Sequence, residues 1–123
     1  MSSRYKGEKG KCWDEVKRIV RERDGDKCYT CPQKGDEWKY DAGHYKPVAI
    51  VGSNNKLSWD LRFIHRQCSR CNGAGQGMAR EYEEHLRQDY GDELVDWFES
   101  NWRKVNPIKD WKSFLEELRA VDN

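Results

Sequence analysis

Residues 65–77 read HRQCSRCNGAGQG, in which a Cys-x-x-Cys pair is followed at once by Asn72 and a glycine-rich run. A second Cys-x-x-Cys pair lies upstream, and 36 residues separate the two pairs. Two such pairs supply four thiolates, which are enough for a closed tetrahedral zinc site. Redox-active or free thiols are the alternative, but the repeated spacing favours one structural zinc ion per chain. The predicted zinc ligands are Cys28, Cys31, Cys68 and Cys71.

The interval of 36 residues between the pairs is longer than the roughly 15–20 residues of a compact zinc ribbon. This excess predicts that a hairpin with its own role is held between the two pairs. Binding of zinc would close the long loop and fix the ends of both strands. Four sulfur ligands leave no coordination position open, so we expect any catalysis to take place elsewhere.

At 123 residues the chain has the length of one domain. No apolar run is long enough for a membrane span, and the polar N-terminus lacks the apolar core of a secretory signal. We therefore expect an intracellular, cytoplasmic protein with no membrane partner. In that compartment, five cysteines indicate metal binding rather than a disulfide framework. The fifth, Cys12, is predicted to be a small buried apolar residue.

The net charge of +1 conceals an asymmetry along the chain. Residues 1–80 contain 17 Lys and Arg against 10 Asp and Glu, whereas residues 81–123 contain 6 against 12. The first part, with a net charge of +7, could face phosphate groups, and the second, with −6, could not. An ordinary solvated surface is the alternative, so the asymmetry supports DNA as a partner only together with the motifs.

The spacing of apolar residues predicts an α+β fold. A flexible basic arm precedes a helix that begins at Lys11, EWKYDAGHY and LSWDLRFIHRQC form a hairpin, and helices follow the second cysteine pair. Pro107 is expected to open a last helix that packs on the domain or on a dimer partner. The predicted units are the arm 1–10, the zinc-containing domain 11–104 and the C-terminal helix 105–123.

The hairpin contains DAGHY, in which Asp41 precedes His44 by three residues. A neutral imidazole can take a proton from water near pH 7, and a carboxylate can hold a hard divalent cation such as Mg²⁺. Asn72 offers a carbonyl oxygen to the same cation, and glycines within 73–77 would let the backbone approach a phosphate. Each residue also has an ordinary interpretation, because Asp-x-x-His is often part of a turn and Asn often starts a loop.

The order of these features resembles that of zinc-containing HNH endonucleases of the ββα-metal type. In that superfamily a strand ends in a catalytic histidine, a second strand leads to a Cys-x-x-Cys pair, and an Asn or His follows at the start of a helix. CSRCN is similar to the version in phage endonuclease VII. The closer resemblance is to the phage NinG family, also called Rap recombination proteins. It is carried by IVRERDGDKCYTC, DAGHYKP, LRFIHRQCSRCN and YEEHLRQDYGDELVDW, which together span most of the chain.

The resemblance implies a metal-dependent endonuclease that cleaves branched DNA recombination intermediates, such as D-loops and Holliday-type junctions, in the host cytoplasm. His44 would be the general base, Asp41 and Asn72 would hold a catalytic Mg²⁺ or Mn²⁺, and the four cysteines would hold zinc. The implied fold is a zinc-stapled ββα-metal core with an N-terminal helix and additional C-terminal helices. A homodimer would suit symmetric cutting of a junction. A sequence-specific HNH endonuclease and a non-catalytic zinc-knuckle DNA-binding module are the alternatives.

The chain departs from the family pattern at one place. The family usually has a short polar insert with an asparagine between LRF and IH, whereas LRFIH is continuous here and Phe63 stands five residues before Cys68. That asparagine braces the loop that carries the catalytic histidine. Its role must pass to another group, such as Asn54 or Asn55, or be absent.

Further polar residues surround the candidate site in the sequence. His65 lies three residues before Cys68 and could contact the scissile phosphate or orient a ligand, or it could simply pack on a strand. His85 is expected to face solvent. Basic residues near the site could hold the phosphate backbone, and ordinary surface charge is the alternative. The predicted DNA-binding residues are Lys46, Arg62, Arg66, Arg70 and Arg80.

Overall fold

The computed structural model describes residues 5–73, 78–104 and 106–121 and has the predicted α+β composition. Two short 3₁₀ turns, Lys56–Trp59 and Leu61–Phe63, lie before the second strand. Among the described helices, none combines the length and the apolar character that a membrane crossing requires. The helices are α1 (Gly7–Asp24), α2 (Val48–Val51), α3 (Ser69–Asn72), α4 (Ala79–Tyr90), α5 (Asp92–Asn101) and α6 (Trp111–Arg119), and the strands are β1 (Tyr40–His44) and β2 (Ile64–Cys68).

Strands β1 and β2 pair in antiparallel orientation, which confirms the predicted hairpin. Tyr40 lies opposite Cys68 at one end of the pair, and His44 lies opposite Ile64 at the other. Because side chains alternate along a strand, this register decides which residues share a face of the hairpin. Helix α3 begins directly after Cys68 and carries Asn72 as its last residue.

Two large apolar clusters form most of the interior of the described residues, apart from the smaller cluster around the paired cysteines. The first joins α1 to α6 and to the hairpin, and it includes the wholly buried Cys12, as predicted. Burial raises the pKa of the Cys12 thiol to about 11, so this cysteine stays protonated at neutral pH. Each large apolar side chain in such a cluster contributes about 1.5–3 kcal/mol through burial. The second cluster joins α4 and α5 to the connection between the strands and contains Tyr45, Val51, Leu57, Phe63, Tyr82, Leu86, Val95 and Phe98.

Helix α1 begins at Gly7 rather than at Lys11, so the last part of the predicted flexible arm is helical. The first four residues of that arm lie outside the described part of the chain. Lys9 anchors the opening turn of the helix, because its Nζ lies 2.7 Å from Oδ1 of Asn54 and 3.0 Å from Oγ of Ser53. A sequence without apolar periodicity is therefore ordered here by long-range hydrogen bonds.

The segment directly before β2 was predicted as strand and instead forms the two 3₁₀ turns. Asn55 and Asp60 cap these turns, since their side-chain oxygens accept from the backbone N–H groups of Leu57 and Arg62, each at 3.0 Å. Such side chains offer the backbone an alternative to a strand ladder. The aromatic and apolar composition of the segment still serves burial, which explains its strand-like pattern.

Helix α6 begins at Trp111, four residues later than the prediction that placed its start at Pro107. The side chain of Asp110 accepts from the backbone N–H of Ser113 at 3.0 Å and so caps the helix. Pro107 lies instead in an isolated bridge with Asn55. The helix packs against α1 of the same chain.

Candidate functional site

The two Cys-x-x-Cys pairs meet, and their four Sγ atoms all lie within 4.8 Å of one another. Sγ of Cys31 and Sγ of Cys68 are 3.7 Å apart. A tetrahedral zinc ion with Zn–S bonds of about 2.3 Å requires sulfur–sulfur separations of about 3.8 Å. A disulfide would need about 2.05 Å, and all five cysteines are free thiols. The cluster of Cys28, Cys31, Cys68 and Cys71 could therefore hold one zinc ion.

Hydrogen bonds hold the first cysteine pair against β2. The backbone N–H of Tyr29 donates to the carbonyl oxygen of Arg66 at 2.8 Å. Burial opposes ionisation of the Cys28 thiol, but hydrogen bonds from the Cys68 backbone and from Thr30 outweigh it and lower its pKa to about 6. Burial raises the pKa values of Cys31 and Cys71, so the four thiols do not all favour the thiolate form, and a bound zinc ion would supply the charge that stabilises it.

Asp41 and Asn72 lie beside the cysteine cluster and contact each other. Nδ2 of Asn72 is 3.3 Å from Oδ2 of Asp41, and both residues are exposed. Gly43 makes room for this contact, because a Cβ atom at that position would lie 3.0 Å from Oδ1 of Asn72. A carboxylate next to an amide is a donor set that suits a hard divalent cation. The predicted approach of the glycine-rich run to phosphate falls on residues 74–77, which lie outside the described residues.

A groove of about 350 Å³ between α1 and the hairpin is lined by Asp41 and Asn72. Arg66 lines it from β2, and Lys17 and Arg21 line it from α1. Lys17 and Arg21 are absent from the residues predicted from sequence. The available signal was their four-residue spacing, which places both on one face of the helix. The groove thus combines three cationic side chains with one carboxylate and one amide.

His44 lies on the opposite face of β1 from Asp41, because the two residues are three positions apart on an alternating strand. Its ring stacks on Trp13, with centroids 5.5 Å apart and an interplanar angle of 9°. Nε2 lies 2.8 Å from the carbonyl oxygen of Ser58. A carbonyl oxygen only accepts, so Nε2 carries the hydrogen and Nδ1 is the basic nitrogen of the neutral ring. The structure therefore joins Asp41 to Asn72 and places His44 across the strand from both.

Asn55 braces the segment that contacts His44. Its backbone carbonyl accepts from the N–H of Ser58 at 2.9 Å, and its side chain is 9% exposed, whereas Asn54 is an exposed residue. Of the two asparagines considered as substitutes for the missing family asparagine, Asn55 is the one that holds this loop. Its Nδ2 lies 3.2–3.3 Å from the carbonyl oxygens of Val51, Trp102 and Lys104.

His65 is 3% exposed and belongs to the interior rather than to a DNA-contacting surface. Nδ1 lies 3.0 Å from Oδ2 of Asp24, and Nε2 lies 3.1 Å from the hydroxyl of Tyr90. Its ring stacks on Tyr29 with centroids 3.8 Å apart. These contacts assign His65 a structural role, and the predicted contact with a scissile phosphate does not fit this position.

The five basic residues predicted to bind DNA are spread over the structure. Arg66 is the member of this set that lines the groove. Lys46 and Arg62 each form an ion pair with a carboxylate, at 3.2 and 2.7 Å. Arg70 and Arg80 are exposed. The role of these residues in DNA binding stays a prediction.

Comparisons of the sequence with known proteins identify the same family that the motifs resemble. The family model described as Bacteriophage Lambda NinG protein matches residues 3–121. The chain is 36% identical over 107 residues to Protein ninG of Escherichia phage 933W, 38% over 108 residues to that of Enterobacteria phage H19B, and 37% over 107 residues to that of Escherichia phage lambda.

Each match covers 86% of this chain and 48% of the relative, so the chain spans about half the length of these relatives. No solved structure matches the chain at a significant level. Because the family model covers nearly the whole sequence, the chain belongs to the NinG family of bacteriophage proteins.

Proposed function

We propose that the chain is a metal-dependent DNA endonuclease that hydrolyses phosphodiester bonds in branched recombination intermediates, such as D-loops and Holliday-type junctions. The observation that carries the proposal is the contact between Asp41 and Asn72 in a groove lined by three cationic side chains. Oxygen donors attract a hard cation and basic side chains attract phosphate. One groove could therefore hold both components of a metal-assisted hydrolysis.

In this proposal the carboxylate of Asp41 and the amide oxygen of Asn72 hold a Mg²⁺ or Mn²⁺ ion. The amide nitrogen of Asn72 faces Asp41. Since the two ends of an amide are nearly isosteric, a half-turn would direct its oxygen to a shared cation. The cation would stabilise negative charge on the leaving oxygen. The sulfur-bound zinc would be structural, because four thiolates complete its coordination.

His44 would serve as the general base. The hydrogen bond to the Ser58 carbonyl leaves Nδ1 as the nitrogen that accepts a proton from water. The role requires this ring to reach a water beside the cation once DNA is bound. Catalytic hydrogen bonds often form only in the substrate complex, so the position of His44 on the other face of β1 is compatible with this requirement.

A non-catalytic DNA-binding module is the second candidate. The observation that favours it is the separation of His44 from Asp41 and Asn72, because a module needs the cationic groove and the zinc but no base. A sequence-specific HNH endonuclease would share the chemistry of the first proposal and differ from it in substrate.

The decisive assay mixes the purified full chain with Mg²⁺ and a labelled four-way junction. We expect His44→Ala and Asp41→Ala to lower the cleavage rate at least about 100-fold, the usual lower contribution of a general base or a metal ligand. His85→Ala and Asp36→Ala are matched controls, because both residues are exposed and neither lines the groove. Equal cleavage by His44→Ala and wild type would disprove the mechanism.

The same assay separates the alternatives. Junction binding without cleavage in either Mg²⁺ or Mn²⁺ would favour the binding module. Linear and four-way DNA of identical sequence should then be compared. We expect preferential cleavage of the branched form, because a small domain with few base-reading elements recognises DNA by backbone and shape. Equal cleavage of both forms at one sequence would favour the sequence-specific enzyme.

A further inference from the structure

We infer that the groove between α1 and the hairpin is a binding site for a backbone phosphate of DNA, with Lys17 and Arg21 of α1 as its ligands beside Arg66. The inference deepens the proposed function, on which it rests, by naming the side chains that position the substrate strand. None of the DNA-binding residues predicted from sequence lies on α1, so this helix adds a second side to the binding surface.

Helix α1 presents a stripe of side chains to the groove. Trp13, Lys17, Val20 and Arg21 line it, and their spacing places them on one face of the helix. Lys17 pairs only loosely with Asp14, at 3.4 Å between side chains that are 46% and 60% exposed. Such surface pairs contribute little and exchange readily for a better anion. Arg21 is exposed, and within the described part of the chain it forms no ion pair.

Arg66 faces these two residues with a guanidinium that is already oriented. Nη2 lies 2.9 Å from Oδ1 of Asp26, and the guanidinium carbon lies 4.9 Å from the centroid of the Tyr40 ring. Its Nε is buried and has no acceptor among the described residues. Arginine donors in a fixed plane match the oxygens of a phosphate, so Arg66 is a suitable third ligand in the groove.

Charge on the rest of the surface favours approach from the α1 side. The groove places three cations around one carboxylate. Where α4 meets α5 the opposite ratio occurs, because Arg87 lies 2.9–3.1 Å from carboxylate oxygens of Glu83, Asp92 and Asp96. A polyanion is repelled by the second surface and attracted by the first. The groove is therefore where the backbone of a DNA strand would lie.

The test measures DNA binding by fluorescence anisotropy without a catalytic cation, over a series of KCl concentrations. The full chain carrying Lys17→Gln and Arg21→Gln is compared with wild type and with a Lys11→Gln/Arg119→Gln control. The control removes the same charge from two exposed residues that do not line the groove. Loss of two phosphate contacts should reduce the slope of log K against log salt by about 1.8. The factor by which affinity falls between 50 and 200 mM salt should then be about 12-fold smaller for the groove variant than for wild type.

A smaller slope in the groove variant together with an unchanged slope in the control would support the site. Equal slopes in the two variants, or a wild type that binds no DNA at 50 mM salt, would overturn it. Arg21→Lys should retain most of the slope, because the charge is kept. The groove variant could show the smaller slope while wild type never cleaves a junction in Mg²⁺. That result would refute the proposed function and leave the phosphate site standing.

Discussion

Replacing Gly43 by alanine tests how closely the candidate site is packed against the hairpin. The added Cβ would lie 2.8 Å from Cδ of Gln67, in contact with Oε1 of the same side chain, and 3.0 Å from Oδ1 of Asn72. Gln67 is wholly buried and donates to the hydroxyl of Thr30 at 2.9 Å. The alanine can therefore be accommodated only if a buried, hydrogen-bonded side chain moves.

Three free-energy terms set the expected cost. Overpacking a well-packed interior costs about 1–3 kcal/mol. Breaking the bond between Gln67 and Thr30 leaves buried polar groups unpaired, at about 1–3 kcal/mol. Alanine restricts the unfolded chain, which returns about 0.4–1 kcal/mol because the φ angle of Gly43 is not positive. The clash outweighs the entropic gain, so we expect Gly43→Ala to lower the free energy of unfolding by about 2–4 kcal/mol.

Urea unfolding followed by tryptophan fluorescence measures this cost, provided that the m-value is unchanged. Gln67→Ala supplies the control, because it removes the buried atoms with which the new Cβ collides and leaves only the contact with the exposed Asn72. In the Gln67→Ala background the Gly43→Ala change should cost less than about 0.5 kcal/mol, giving a coupling energy of about 1.5–4 kcal/mol. An equal cost of Gly43→Ala in both backgrounds would refute the packing argument.

Elemental analysis of the wild type should find about one zinc per chain, and Cys28→Ser should lose the metal and unfold; folded wild type without zinc would contradict this. Asn55→Ala should lower the free energy of unfolding by about 2–4 kcal/mol in urea, because it removes the acceptor of the Leu57 N–H and the two N–H donors that three backbone carbonyl oxygens share. The exposed Asn54→Ala should cost clearly less. The third test is acid unfolding, and it concerns Asp24. Burial alone would raise the pKa of this carboxyl, but hydrogen bonds from His65, Arg23 and the backbone of Arg66 outweigh burial and hold the pKa well below its usual range. A depressed folded-state pKa stabilises the protein fully above the unfolded value of about 3.9, and this contribution is lost progressively as the pH falls from there through the folded-state pKa. Asp24→Asn should therefore flatten the loss of stability from about pH 4 downward. If Asp24→Asn loses stability with falling pH as steeply as wild type does, Asp24 is not the group responsible.

The parts of the fold that were predictable from the sequence are those governed by local chemistry. The cysteine pairs identified a possible metal cluster because the spacing itself fits one ion. The hairpin was predictable because strand-like segments flank a long connection, and Asn72 was predictable as a neighbour of the cluster because it follows Cys71. In each case the relevant residues are adjacent in sequence or carry a periodic pattern.

What escaped prediction depends on contacts between distant segments. The buried role of His65 requires Asp24 and Tyr90, which lie 41 and 25 residues away from it. Lys17 and Arg21 belong to the groove only because α1 packs beside the hairpin, and the four-residue spacing that places both on one face also occurs on ordinary charged helix faces. The two 3₁₀ turns form because side-chain caps compete with the ladder, although the segment has the composition of a strand.

The register of the hairpin has a consequence for how the chain tolerates changes of length. The pairing of Tyr40 with Cys68 ties the register to the cysteine cluster, at the end of the hairpin away from the connecting loop. Insertions or deletions at an exposed position of that loop, such as Asn54, would therefore leave Asp41 and Asn72 in the same relation. Related chains could thus vary this loop, and lose the insert that this sequence lacks, without separating Asp41 from Asn72.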